Sequence, residues 1–277
     1  MRNGWRGEGD DGSAPAGRLL TPPQHRAALH LVARVRREVP AELVRAILFG
    51  SRARGQARPD SDLDVLLVFR LLPPDREPQA GIAERIADEV AAASGVPVQT
   101  WSVSLEDLDP GFRTPMLVDS LDDGVPLWPA DAPPLRVPFT PPDALWCTAN
   151  LLTRVGEGSR EFAGHAAAGD FASAARRARD DVVRLCTAAL LLEGVTRPRR
   201  GEAVTHFAAR RGIRLHAHPV LAWAAYSYGP AGKEDEAPVP PPPGGLRAAA
   251  AAIERLRARV ERGRAELAAR MGRRDPG

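Results

Sequence analysis

The chain has 277 residues, 44% hydrophobic and 26% charged, with a formal net charge of +3. That composition excludes a fibrous or wholly disordered protein, leaves room for two domains with separate cores, and carries too small a charge excess to argue for nucleic acid as a partner. The longest apolar stretch, Leu185–Leu192, falls far short of the roughly 20 residues of a membrane span, and the N-terminus has no apolar signal core, so a cytoplasmic protein is expected.

Residues 1–20 are rich in Gly, Arg and Asp without periodicity and read as a mobile tail. Thr21-Pro-Pro then caps a predicted helix reaching about Val39, with Leu29, Val32 and Val35 inward. The next segment is the most informative. An apolar strand, Ala46-Ile-Leu-Phe49, ends at Gly50-Ser51, and a loop containing Arg52, Arg54 and Asp60 leads to Asp62-Leu-Asp64 at the head of a second apolar strand, Val65–Phe69. Side chains alternate along a strand, so Asp62 and Asp64 are expected to project from one face with their carboxylates close together. Two like charges so placed suit a hard divalent cation such as Mg²⁺, which takes carboxylate oxygens together with substrate phosphates. Asp-x-Asp after a Pro-Asp-Ser turn is also a common loop motif, in which aspartate caps a turn and faces water.

Strand, Gly-Ser, basic loop and Asp-x-Asp opening a second buried strand together resemble the minimal nucleotidyltransferases of the DNA polymerase beta superfamily, of the kanamycin nucleotidyltransferase kind. The likeness covers roughly residues 25–128 and is carried by Gly50, Ser51, Asp62 and Asp64. It implies a small mixed β-sheet with flanking helices, and transfer of a nucleoside monophosphate, usually AMP from ATP but open to the monophosphate of another nucleoside triphosphate, to an acceptor hydroxyl or phosphate. The acceptor group would sit on a small molecule, a protein or an RNA. The resemblance further implies two Mg²⁺ ions, Asp62 and Asp64 as catalytic metal ligands, and Gly50, Ser51, Arg52 and Arg54 around the triphosphate; for the two arginines a plain surface-loop role is an equal reading.

The family completes its metal site with a third carboxylate on a later strand. Here that strand is Val96–Val103, after a helix bearing Ile82, Ile86 and Val90 and a Ser94-Gly95 stop, and Gln99 stands at the corresponding position. Glutamine offers a metal only a neutral carbonyl oxygen and cannot act as a general base. Three readings stay open: a base from Glu106, Asp107, Asp109 or the second domain, an acceptor that is already ionised, or a regulatory module of toxin–antitoxin type that binds nucleotide without fast turnover.

Ser104–Pro110 reads as a capped turn, Pro115–Gly124 as a short helix and Val125–Trp128 as the segment closing a domain over residues 21–128. Residues 129–142 hold six prolines and read as an extended connector. Beyond them only helical patterns follow, at about 143–161, 170–193, 202–211, 218–228 and 246–271, interrupted by a flexible proline-rich loop at 229–245. This second domain, 143–272, is expected to be an antiparallel all-α bundle, making the whole chain α+β. The run Ala174–Gly194 resembles the HEPN helical domain, which implies an acceptor-binding or dimer-forming role and leaves a homodimer open. HEPN nucleases carry an Arg-to-His spacing on one helix; Arg184 stands where that His would fall, while Arg200 and His206 fit the spacing outside the expected helix. Cys147 and Cys186 sit among apolar neighbours and read as buried thiols. His216 and His218 lack a third ligand, and Trp101, Trp146, Trp223, Tyr226 and Tyr228 read first as packing residues and second as the lining of an acceptor pocket.

Overall fold

The structure is a computed structural model that describes residues 16, 19–72, 77–196, 202–226 and 245–273. Most of the expected tail 1–20 and of the loop 229–245, together with Tyr228, Arg197, Arg199 and Arg200, lie outside the described residues. The chain divides into two units: residues up to Asp109 with Met116–Pro138, and Pro110–Pro115 with the residues from Phe139 onward.

In the first unit the order is α1 (Pro22–Glu38), β1 (Leu43–Phe49), α2 (Gly50–Ala53), β2 (Leu63–Phe69), α3 (Glu77–Ser94), β3 (Val98–Ser104), α4 (Pro115–Asp122, its first residue assigned to the other unit) and β4 (Val125–Trp128). The strands form one sheet in the order β3-β2-β1-β4. β1 is antiparallel to β2 and β4, whereas β2 and β3, joined through α3, run parallel. The sheet is mixed and the later helices follow it, the α+β architecture expected.

β2 explains why its sequence shows no apolar–polar alternation. Leu63, Val65, Leu67 and Phe69 pack with Leu31, Val35 and Ile86 of α1 and α3, whereas Leu66 and Val68 pack with Ile47, Leu117 and Leu121 on the opposite face. A strand buried on both faces reads as a continuous hydrophobic run. In α1 the buried stripe is Ala27, Ala28, Leu31, Val32 and Val35. Leu29, expected inward, is 46% exposed, because a helix turns about 100° per residue and places it beyond the edge of the stripe that Ala27 begins.

The second unit holds α5 (Pro141–Ala167), α6 (Phe171–Leu192), α7 (Ala203–Arg210), α8 (Pro219–Tyr226) and α9 (Gly245–Gly272). α6 is its spine, burying Val182, Leu185, Cys186 and Ala189 among side chains of the other helices. α5 begins two residues before the expected Asp143. Thr140 is its N-cap and Asp143 its third residue, so the Pro141-Pro142 pair forms the first turn, where a missing N–H costs nothing. Asp143 is fully buried yet collects four donors: the backbone N–H groups of Gly111 (2.6 Å), Arg113 (3.1 Å) and Thr140 (2.7 Å) and the Thr140 hydroxyl (2.6 Å). That knot ties Pro110–Pro115 to the start of α5. Cys147 and Cys186 are buried free thiols, each pushed up to about 12 by burial.

Asp181 of α6 is the other buried carboxylate of this unit. Its Oδ1 accepts from Arg184 at 2.8 Å and lies 3.9 Å from Arg177, while Oδ2 has no partner among the described residues. The site is open only because residue 158 is glycine: a Cβ there would stand 2.4 Å from Asp181 Oδ2 and 2.5 Å from Arg177 Nε. Burial pushes Asp181 up to about 6 against the attraction of Arg184 and Arg177, with Asp180 adding to the rise. The folded-state value exceeds the ordinary one, so ionising Asp181 destabilises the fold, and stability falls as pH rises from about 4 through about 6. In Asp181→Asn, the thermal midpoint measured across this window is expected to lose that downward slope.

Candidate active site

β1 and β2 together place the Gly-Ser turn beside the aspartate pair. In their antiparallel register Phe49 lies opposite Asp64, so the residue after Phe49 must turn away at the Asp64 side chain. That residue is Gly50, with φ +74°, and a Cβ on it would lie 2.2 Å from Asp64 Oδ2. Two independent constraints, a left-handed backbone and no space, leave glycine alone acceptable there. Ser51 follows within α2, and its side chain makes no hydrogen bond among the described residues.

Asp64 is the second residue of β2 and is partly buried, whereas Asp62 immediately precedes the strand. Burial, and after it the neighbouring charge of Asp62, raises the Asp64 carboxyl above its ordinary range, with Arg54 and Arg52 pulling the other way. The carboxylates are therefore close enough for Asp62 to disfavour the ionisation of Asp64, the electrostatic condition a cation relieves.

The two loop arginines behave differently. Arg52 is only 6% exposed. Its Nε donates to the backbone carbonyl of Asp62 at 3.0 Å and its Nη2 to the carbonyl of Ser61. Its guanidinium is thus engaged in holding the loop that carries Asp62, a role the sequence reading did not assign to it. Arg54 is exposed, and its one hydrogen bond among the described residues is a 3.4 Å contact with Gln56.

Gln99 lies beside Asp64 in the parallel β2–β3 register, and its Nε2 donates to Asp62 Oδ2 at 2.6 Å. It meets the aspartate pair as a hydrogen-bond donor. Glu106, Asp107 and Asp109 come after the C-terminal end of β3, whereas Gln99 is near its start. At about 3.3 Å per residue the strand puts them roughly 20 Å away along the sheet. Asp107 is moreover bound to the Ser104 N–H (2.7 Å) and hydroxyl (3.0 Å), forming the cap of the turn. Strand direction thus removes these three acids as substitutes within this unit.

Among the described residues no three His, Cys, Asp or Glu side chains converge to hold a metal. Two opposed carboxylates, one with its ionisation disfavoured by the other, nevertheless fit one hard cation that completes its shell with phosphate oxygens and water. The other candidates do not join this group. His218 follows a 3₁₀ turn at Leu215–Ala217 that contains His216, so the two are not on a strand face. His206 is exposed on α7, and Arg184 is bound to Asp181. Trp101 packs against Phe49 with ring centroids 6.4 Å apart, and Trp146 meets Phe112 edge-on. Trp223 is buried in the helical core, while Tyr226 is 69% exposed.

Residues 30–120 match the family model described as a nucleotidyltransferase domain. Among solved structures the chain is similar to a protein described as a toxin-antitoxin with AMP-PNP, at 22% identity over 36% of this chain and 72% of that one, with a TM-score of 0.27. No curated protein matches the chain. The matched region holds the Gly-Ser turn, both aspartates and Gln99.

Gly50→Ala is expected to displace the Asp64 carboxylate and to strain the turn, costing about 2 kcal/mol in a denaturant titration. If the aspartate pair holds a metal, Mg²⁺ should raise the thermal midpoint of the wild-type chain, and a variant carrying Asp62→Asn and Asp64→Asn should show no such rise.

Proposed function

We propose that the chain transfers a nucleoside monophosphate, AMP from ATP, to an acceptor oxygen and releases pyrophosphate. The observation that supports this most is the meeting of the Gly50-Ser51 turn with the Asp62–Asp64 pair inside a region that matches a nucleotidyltransferase domain. In this reading Asp62 and Asp64 would hold Mg²⁺, which would neutralise the triphosphate and stabilise charge on the leaving pyrophosphate. Gly50 lets the backbone approach the triphosphate closely, and Ser51 offers it a hydroxyl and an N–H. Arg54, exposed beside the pair, is free to balance phosphate charge, while Arg52 positions Asp62 through the loop backbone.

The acceptor oxygen forms a new bond to the α-phosphorus as the bond to pyrophosphate breaks, and a hydroxyl acceptor must also give up its proton. Gln99 cannot take it, and strand direction takes Glu106, Asp107 and Asp109 away from this end of the sheet. The site therefore suits an acceptor whose oxygen is already ionised, such as a phosphate group, better than a plain alcohol. The helical unit, read as HEPN-like, would supply acceptor binding or dimer contacts. Gln99 favours a second reading, in which the chain binds nucleotide as a regulatory module of toxin–antitoxin type and turns over slowly.

Pyrophosphate release from ATP and Mg²⁺, followed with an alcohol, a phosphate monoester, a protein or an RNA as acceptor, tests the proposal. Its absence with every acceptor, alongside calorimetric ATP binding, would leave the regulatory reading. Gln99→Glu separates the two further. It replaces a donor to Asp62 with a third negative charge, so it is expected to lower the thermal midpoint in chelator, to strengthen Mg²⁺ binding and to raise turnover about tenfold or more if a missing base limits the rate.

A further inference from the structure

Gln99 is exposed, and an exposed glutamine is free to satisfy its amide with water. Its Nε2 instead donates to Asp62 Oδ2 at 2.6 Å, and among the described residues this is the one hydrogen bond that the side chains of Gln99, Asp62 and Asp64 make. The strands explain the reach. Leu63 and Val65 pack toward α1 and α3, so Asp64 leaves the opposite face of β2, the face of Leu66 and Val68. On β3 that face carries Trp101 and Val103, and with them Gln99. Gln99 is the neighbour of Asp64 in the parallel register, yet its amide passes Asp64 and closes on Asp62.

A cation shared by both carboxylates has to sit on this same face, where the amide hydrogen already holds one of their oxygens. The movable part of that contact is the glutamine. Arg52 fixes the backbone of Asp62 through the carbonyls of Asp62 and Ser61, and the carboxylate of Asp64 abuts Gly50, where a Cβ would come within 2.2 Å of Oδ2. The aspartates are thus set by backbone and packing, whereas Gln99 has a long side chain with solvent around it.

We propose that Gln99 competes with the cation for Asp62, so that the aspartate pair takes up free Mg²⁺ poorly and accepts it readily only in complex with a nucleoside triphosphate. A bare ion must break a charge-assisted hydrogen bond and gains in exchange at most a neutral carbonyl oxygen. A triphosphate brings anionic oxygens to the same face, and the released N–H can donate to one of them. This role of Gln99 rests on Asp62 and Asp64 being metal ligands, as proposed for them, and adds the choice between free and nucleotide-bound metal. In the plain alternative Gln99 assists the metal, either by orienting Asp62 through Oδ2 while Oδ1 ligates or by turning over to ligate through its own Oε1. The two differ in sign: removing a competitor tightens the binding of a bare ion, and removing a helper weakens it.

Gln99→Leu keeps most of the bulk and removes the donor, and Mn²⁺ serves as the probe because electron paramagnetic resonance reads its free form directly. On the full chain without nucleotide, Gln99→Leu is expected to bind Mn²⁺ about tenfold more tightly than the wild type, and Gln99→Ala to do the same. When Mn²⁺ is supplied as its complex with α,β-methylene ATP and binding is followed by calorimetry, wild type and Gln99→Leu are expected to agree within about threefold, because the wild-type amide regains an acceptor. Thermal midpoints in chelator establish that both variants are folded. Weaker or unchanged Mn²⁺ binding by the leucine and alanine variants, or a tenfold gain that persists with the nucleotide complex, would overturn the proposal. Asp62→Asn combined with Asp64→Asn separates it from the metal reading beneath it. If that variant binds Mn²⁺ and the nucleotide complex as the wild type does, both readings fall; if it loses binding while Gln99→Leu brings no gain, the aspartates hold the metal and the competition alone is wrong.

Discussion

The candidate active site depends on one buried guanidinium. Arg52 lies below the surface and spends its Nε and one terminal nitrogen on the carbonyls of Asp62 and Ser61. Hydrogen bonds from a charged donor are worth about 1.5–3 kcal/mol each, and a buried charge left without them is costly. The loop between β1 and β2 is therefore not free to carry Asp62 elsewhere. Its far end is fixed by β2, which neighbouring strands hold on both edges and side chains cover on both faces. Clamp and strand together hold two carboxylates near each other although Asp62 disfavours the charge on Asp64.

That arrangement makes Gln99 informative rather than merely absent chemistry. The amide is not turned away; it donates to Asp62 Oδ2 at 2.6 Å. A glutamine here does electrostatically, and only in part, what a cation would do more strongly. The same position thus combines a donor that holds Asp62 and the lack of a nearby proton acceptor, and both follow from its being an amide.

Much of this was legible in the sequence, and the parts that were not have identifiable causes. The strands around the motif announce themselves because β2 is double-sided core, and Gly50 and the aspartates because their spacing spans one tight crossing. Leu29 misled because a leucine near the apolar stripe looks inward until the helical phase is set by its neighbours. Arg52 was indistinguishable from Arg54 as text: both are arginines of one basic loop, and only the folded loop shows that one reaches backbone carbonyls while the other faces solvent. Glu106, Asp107 and Asp109 are close to Gln99 in sequence but separated from it in space, because an extended strand converts a few residues into a long distance.

The Asp143 knot has a consequence for how the chain can be taken apart. Pro110–Pro115 belongs with the helical unit, although the sequence on both sides of it belongs with the sheet. The two units are consequently interleaved along the chain and are not separated by any single cut. Cutting at the proline-rich connector would leave the first fragment with a short segment whose N–H groups at Gly111 and Arg113 have lost their acceptor, and the second with a buried carboxylate stripped of two of its four donors. During synthesis the same order holds: that segment leaves the ribosome before the aspartate that anchors it, and waits for a later part of the chain to fix it in place.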